Sequence, residues 1–194
     1  MDFVYEIKNM LPKQICEAII KRFQNDHRKS ESKIGNGELN YNVRKSNVLF
    51  FSQYSDWKDV DNIIFDVISK GIEKYQEYLK TFANDDEHLI DVIEGRFLNL
   101  TDEGYFIQEY KSGGFYKWHI DDARPKGVGR SLSVVLYLNT LDESQGGHTE
   151  FIGGRKVKPE MGKLLIFPSC GSFIHRSVPV KNSGIKYTIG TWAI

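Results

Sequence analysis

Ser131-Leu132-Ser133-Val134-Val135-Leu136-Tyr137-Leu138-Asn139 reads as a β-strand with two unlike faces. Side chains in a strand alternate, so Leu132, Val134, Leu136 and Leu138 make an apolar face for packing. Ser133, Val135 and Tyr137 point the other way and suit a pocket lining. Similar short runs lie on either side, from Tyr105 to Tyr110, His148 to Ile152, Leu164 to Phe167 and Tyr187 to Ala193. Gly153-Gly154 between two of them marks a hairpin. Short strands closing on one another predict a jelly-roll or cupin-like barrel. The β-type texture starts at about His88. Upstream the pattern is helical: Pro12 opens a helix with Ile15, Ala18, Ile19 and Phe23 at helical spacing. A second helix is predicted from Asp56 to Leu79, with Val60, Ile63, Ile64, Val67, Ile68 and Ile72 as its stripe. Ser30 to Asn42 is polar and glycine-bearing and reads as a long loop. The expectation is one α+β domain over 1–194, with 1–85 mainly helical support and 86–194 the β core.

Length and charge narrow the function. A chain of 194 residues with 40% hydrophobic content can bury one core. Its formal charge is zero, so it has no basic excess for neutralising a run of phosphates, and a nucleic-acid partner is not expected. Apolar runs such as Leu164-Leu165-Ile166-Phe167 are far too short to span a membrane. The first residues, Met1-Asp2-Phe3-Val4-Tyr5-Glu6, lack the basic and apolar regions of a secretory signal. Cys16 and Cys170 have no metal-type spacing and fit a reducing, cytoplasmic setting.

The chemistry is concentrated in a few residues. In Trp118-His119-Ile120-Asp121, an extended backbone places His119 and Asp121 on one face. His175, on a later segment after Pro168-Ser169-Cys170, supplies a third ligand. Two histidines and one carboxylate leave octahedral positions open, which suits ferrous iron that binds a chelating co-substrate and then oxygen. On the last strand Lys186, Thr188, Gly190 and Trp192 share a face, and a lysine turned into a barrel calls for an anion. The small Thr188 and Gly190 leave space beside it for a dicarboxylate. Tyr137 and Tyr110 are candidate pocket hydroxyls, and Trp118 and Trp192 candidate pocket walls. Ser32 to Arg44 and Asp122-Ala123-Arg124-Pro125-Lys126 are candidate substrate loops.

The run from Tyr110-Lys111-Ser112-Gly113-Gly114 through His119-Ile120-Asp121 resembles the first metal motif of the prolyl 4-hydroxylase-like branch of the iron(II)/2-oxoglutarate-dependent dioxygenases. It is followed in order by Arg130-Ser131-Leu132-Ser133, Tyr137-Leu138-Asn139 and Gly146-Gly147-His148-Thr149-Glu150-Phe151. Phe167-Pro168-Ser169, His175-Arg176-Ser177-Val178-Pro179-Val180, Lys186-Tyr187 and Trp192 complete the similarity, which covers about Gly104 to Ile194. The resemblance implies a double-stranded β-helix with iron held by His119, Asp121 and His175. Lys186 would bind the distal carboxylate of 2-oxoglutarate, with Tyr137 and Tyr110 hydrogen-bonding near it. It further implies hydroxylation of an unactivated C–H bond with release of succinate and CO2, consumption of O2, and support by ascorbate. The carboxylate of Asp121 favours hydroxylation, because halogenating relatives lack it. The implied partner is a proline-containing peptide or protein; a free amino acid or other small molecule is the alternative. A cupin-like metal protein without 2-oxoglutarate chemistry is a reading from another class, and Lys186 speaks against it. Lys186 lies eleven positions after His175, a little further than the branch usually has, so Asn182-Ser183-Gly184 is expected to form a loose turn.

Overall fold

The computed structural model describes residues 3–35, 37–122 and 129–194. In chain order its strands are β1 (Tyr5–Ile7), β2 (Ser30–Glu31), β3 (Arg44–Lys45), β4 (Asn47–Phe50), β5 (Phe106–Tyr110), β6 (Phe115–His119), β7 (Leu132–Tyr137), β8 (Thr149–Phe151), β9 (Lys156–Val157), β10 (Leu164–Pro168), β11 (His175–Ser177) and β12 (Lys186–Ala193). The helices are α1 (Lys13–Asn25), α2 (Lys58–Lys80) and α3 (Glu87–Phe97). The strands form two antiparallel sheets, ordered β1-β10-β7-β12-β5-β4-β2 and β3-β6-β11-β8-β9.

The alternation read from the sequence holds in the larger sheet. Leu132, Val134 and Leu136 join the main core, on the side where α1 and α2 pack. Leu164 and Ile166 of β10 point into that core, whereas Leu165 and Phe167 point into a second cluster with Tyr137, Phe151 and Val157. Helix α2 contributes Val60, Ile64, Ile68 and Tyr75 to the main core. It can come this close because Gly71 has no side chain: a Cβ there would stand 2.1 Å from Leu164 Cδ2. Ile63, placed in the stripe from sequence, is exposed, because the buried face is centred on Val60-Ile64-Ile68.

Three differences from the sequence reading have physical causes. The segment after Asp86 is helix α3, not strand: Asp86 caps it by accepting from the Leu89 backbone N–H, and the helix packs on α2. The β core therefore starts near Phe106. The mainly helical first part also carries four strands, β1 to β4, all of which pair into the sheets. Ser30–Glu31, read as loop, is one of them, paired with Val48 and Asn47. The hairpin at Gly153-Gly154 is present between β8 and β9, with Gly154 at φ 86°. Asn182 and Ser183 both adopt positive φ in the expected turn before β12, which the Gly184 N–H closes by donating to the Lys181 carbonyl.

Candidate active site

Cross-strand register builds one wall of a cavity row by row. Lys186 opposes Tyr110; Thr188 lies between Gln108 and Tyr137; Gly190 lies between Phe106 and Val135; Trp192 opposes Ser133. On β4, Val48 and Phe50 extend two of these rows. The smaller sheet contributes His119, Thr149, His175 and Ser177 to the same cavity, whose volume is about 780 Å³.

His119 and His175 are cross-strand partners. Between the Tyr116–Ser177 and His119–His175 pairs, three residue steps on β6 oppose two on β11, so a bulge interrupts the strand. The bulge brings Tyr116 to the same side as His119, and their rings stack with centroids 3.6 Å apart. Asp121 lies two residues beyond the end of β6. Its Oδ1 is 3.6 Å from His119 Nε2 and its Oδ2 3.7 Å from His175 Nε2. The three donor atoms fall within 4.8 Å of one another.

The donor set fits a divalent metal. Each histidine's Nδ1 faces a carbonyl oxygen, Lys117 O at 2.8 Å and Phe173 O at 3.1 Å. A carbonyl can only accept, so Nδ1 carries the proton and Nε2 turns its lone pair inward. Burial and the neighbouring His175 push His119 down to about 4, which keeps its ring neutral at pH 7. Burial alone would raise the Asp121 carboxyl. The adjacent His175 and His119, with hydrogen bonds from Ser133 and Trp192, outweigh it and hold the group below its ordinary value. The site therefore offers two imidazole lone pairs and one carboxylate.

Lys186 is turned into the cavity as its strand parity required, and only 2% of it is exposed. Its ammonium donates to Gly147 O at 2.8 Å and to Ser177 Oγ, and lies 4.4 Å from the centre of the Tyr110 ring. Among the described residues no carboxylate pairs with it, and burial pushes its pKa down to about 7. Tyr110 lines the cavity, its hydroxyl donating to Gln108 Oε1 at 3.0 Å. Tyr137 stands one layer behind the cavity surface. Its hydroxyl bonds Thr149 Oγ1 at 2.7 Å, and it is Thr149 that faces the cavity. Gly190 does not leave free space beside Lys186: the Phe106 ring lies on it, where a Cβ would come within 2.5 Å of ring carbon.

Trp192 walls the cavity, but Trp118 stands on the outer face, 44% exposed, with the Arg176 guanidinium 4.5 Å from its ring centre. Ser32, Lys33, Ile34, Gly35 and Arg44 of the first candidate loop reach the cavity. Of the second, residues 123–126 lie outside the described residues. Sequence reasoning assigned no role to Thr149, Ser177 or Arg130, although all three lie in quoted motifs; Ser133, read as pocket lining, does line the cavity. It missed Glu103 altogether, since a lone glutamate in a turn carries no signal.

A family model described as the 2OG-Fe(II) oxygenase superfamily matches residues 105–194. The match covers 90 of the 194 residues. A PKHD-type hydroxylase of Synechococcus sp. is 29% identical over 89 residues, 44% of this chain and 39% of that protein. A PKHD-type hydroxylase of Idiomarina loihiensis is 31% identical over 87 residues, 43% of this chain and 39% of its own length. The similarity thus spans about two fifths of the length of these curated relatives. Among solved structures, a prolyl hydroxylase of Trichoplax adhaerens in complex with a hypoxia inducible factor peptide fragment superposes with TM-score 0.74 at 19% identity. The alignment covers 100% of this chain and 84% of that one. The viral collagen prolyl hydroxylase of Paramecium Bursaria Chlorella virus-1 gives 0.63 at 21% identity, over 99% of this chain and 96% of that one. A Pseudomonas putida prolyl-4-hydroxylase gives 0.64 at 21%, over 98% and 91%. The chain thus has the double-stranded β-helix fold of prolyl hydroxylases, with its supporting helices.

Proposed function

We propose that this protein is an iron(II)- and 2-oxoglutarate-dependent dioxygenase that hydroxylates an unactivated C–H bond of a prolyl residue in a peptide or protein. One observation carries the reading: a single cavity holds both the His119/Asp121/His175 donor set and a buried lysine with no carboxylate partner among the described residues. A metal-binding barrel without a dicarboxylate co-substrate has no use for that lysine, whose burial costs stability unless an anion meets it.

Ferrous iron held by His119, Asp121 and His175 would supply the oxygen activation that turns 2-oxoglutarate, O2 and a C–H bond into succinate, CO2 and an alcohol. The Lys186 ammonium pairs with the distal carboxylate, and Ser177 beside it can share the proton donation. Tyr110 lies under the ammonium, and the Tyr137–Thr149 pair brings a hydroxyl to the cavity surface nearby. Phe50, Phe106 and Trp192 form an aromatic row along the cavity wall, with successive ring centroids 5.3 and 5.0 Å apart. The prolyl substrate is supported by kinship with the prolyl hydroxylase fold and by a cavity whose mouth reaches the exposed Phe50.

The test is succinate formation from 2-oxoglutarate under air with ferrous iron and ascorbate, in the presence of pooled prolyl peptides. The intact chain should form succinate and add one oxygen to proline by mass spectrometry, and His119→Ala should do neither. Succinate formation with oxygen added only to a non-prolyl compound would remove the prolyl substrate. No succinate with any substrate offered, and no 2-oxoglutarate binding, would remove the dioxygenase reading.

A further inference from the structure

The three ligands are not held alike. His119 and His175 sit on paired strands, and each ring is fixed by its own carbonyl bond. Asp121 lies beyond the end of β6, where the chain enters the connection to β7, so no strand ladder holds it. Two contacts replace the ladder. Ser133 Oγ donates to Asp121 Oδ2 at 2.8 Å, and Ser169 Oγ stands 2.8 Å behind it. Arg130 Nη1 donates to the Asp121 main-chain carbonyl at 3.3 Å.

The Arg130 guanidinium has two further partners. Nε and Nη2 donate to both carboxylate oxygens of Glu103, at 2.7 and 2.6 Å, in a two-pronged pair with its side chains only 13% and 20% exposed. Its Cζ lies 3.5 Å from the centre of the Trp192 ring, and the Trp192 side chain in turn reaches the Asp121 carboxylate. Although Arg130 lines the cavity, its charge is already met by Glu103 and one flat face lies on Trp192.

We infer that Arg130, locked by Glu103, is the positioning residue that fixes Asp121 in the metal centre. The inference rests on the proposed metal centre. Glu103 acts only through Arg130, and the pair needs no contact with substrate. Metal affinity, not substrate affinity, is what its loss changes.

Manganese(II), which undergoes no reaction with oxygen here, is the probe. Its affinity is measured by calorimetry on the full chain, with thermal unfolding run alongside. Arg130→Met should weaken manganese binding by on the order of 10-fold, the lower range for a group that orients a ligand. Glu103→Gln should weaken it less, and the double variant no more than Arg130→Met alone. Wild-type affinity in folded Arg130→Met, whatever happens to peptide turnover, would overturn the inference and leave the metal centre standing. Additive losses in the double variant would overturn the dependence of Glu103 on Arg130. If Arg130→Met does not fold, Glu103→Gln decides: unchanged affinity overturns the inference. No manganese binding by the intact chain would remove the metal centre and the inference with it.

Discussion

Lys186 is the side chain whose ionisation bears most directly on binding an anion in the cavity. Its buried ammonium is pushed down to about 7 from an ordinary 10.5, so it is charged below that pH and increasingly neutral above it. A carboxylate binds the charged form, so 2-oxoglutarate affinity should fall as pH rises above about 7, and binding should take up a proton; calorimetry in buffers of different ionisation enthalpy reads both. The free protein runs the other way. Between about 7 and 10.5 the unfolded chain binds more protons at this residue than the folded one, so this group's contribution to stability rises with pH across that window. Lys186→Met should raise the KM for 2-oxoglutarate by at least an order of magnitude, since a buried charge-assisted contact is worth about 1.5–3 kcal/mol. These residues were legible because strand alternation is geometric: once Lys186 and Thr188 share a face, so do Gly190 and Trp192. Tyr137 shows the limit of that reasoning. Parity gave its direction correctly, but its distance behind Thr149 depends on packing between two sheets, which one strand's sequence does not contain.

Elements were legible in proportion to their length. Helix α2 and strand β12 announce themselves over many residues, whereas β2 and β3 have two residues each and exist only because a longer strand pairs with them. Helix α3 was misread because Leu89, Ile90, Val92 and Ile93 suit a strand. The Asp86 cap and the packing on α2 prevailed over that preference. The bulge in β6 was also hidden, although it decides that Tyr116 and His119 stack. At the turn into β10, Gly162 has φ 74° and a Cβ there would stand 2.4 Å from Leu11 O, so both its backbone conformation and its space exclude a side chain. Gly162→Ala should destabilise the fold by about 1–3 kcal/mol, and chemical denaturation would show the lower midpoint. An unchanged midpoint would mean that the foot of α1 is not pressed against this turn.

Across the whole molecule, two sheets converge to make one cavity, and the donor residues come from both sides of the β6–β11 pairing within the smaller sheet. The folded chain has the assembled donor set and the unfolded chain does not, so manganese at about a hundred times its dissociation constant should stabilise the fold by about 2.7 kcal/mol. A scanning melt with and without a chelator would read this as a higher midpoint, absent in a folded Asp121→Ala variant. Among the described residues no helix is long and apolar enough to cross a membrane. On the proposed function, the donor set and Lys186 jointly form one co-substrate site. Its most direct test is calorimetric titration of 2-oxoglutarate, without oxygen, into the iron(II)-loaded chain and into the metal-free chain. The account predicts strong binding that requires iron, is lost in His119→Ala and is weakened at least tenfold in Lys186→Met. Binding that is equally strong without metal, or no binding to the iron-loaded chain, would contradict it.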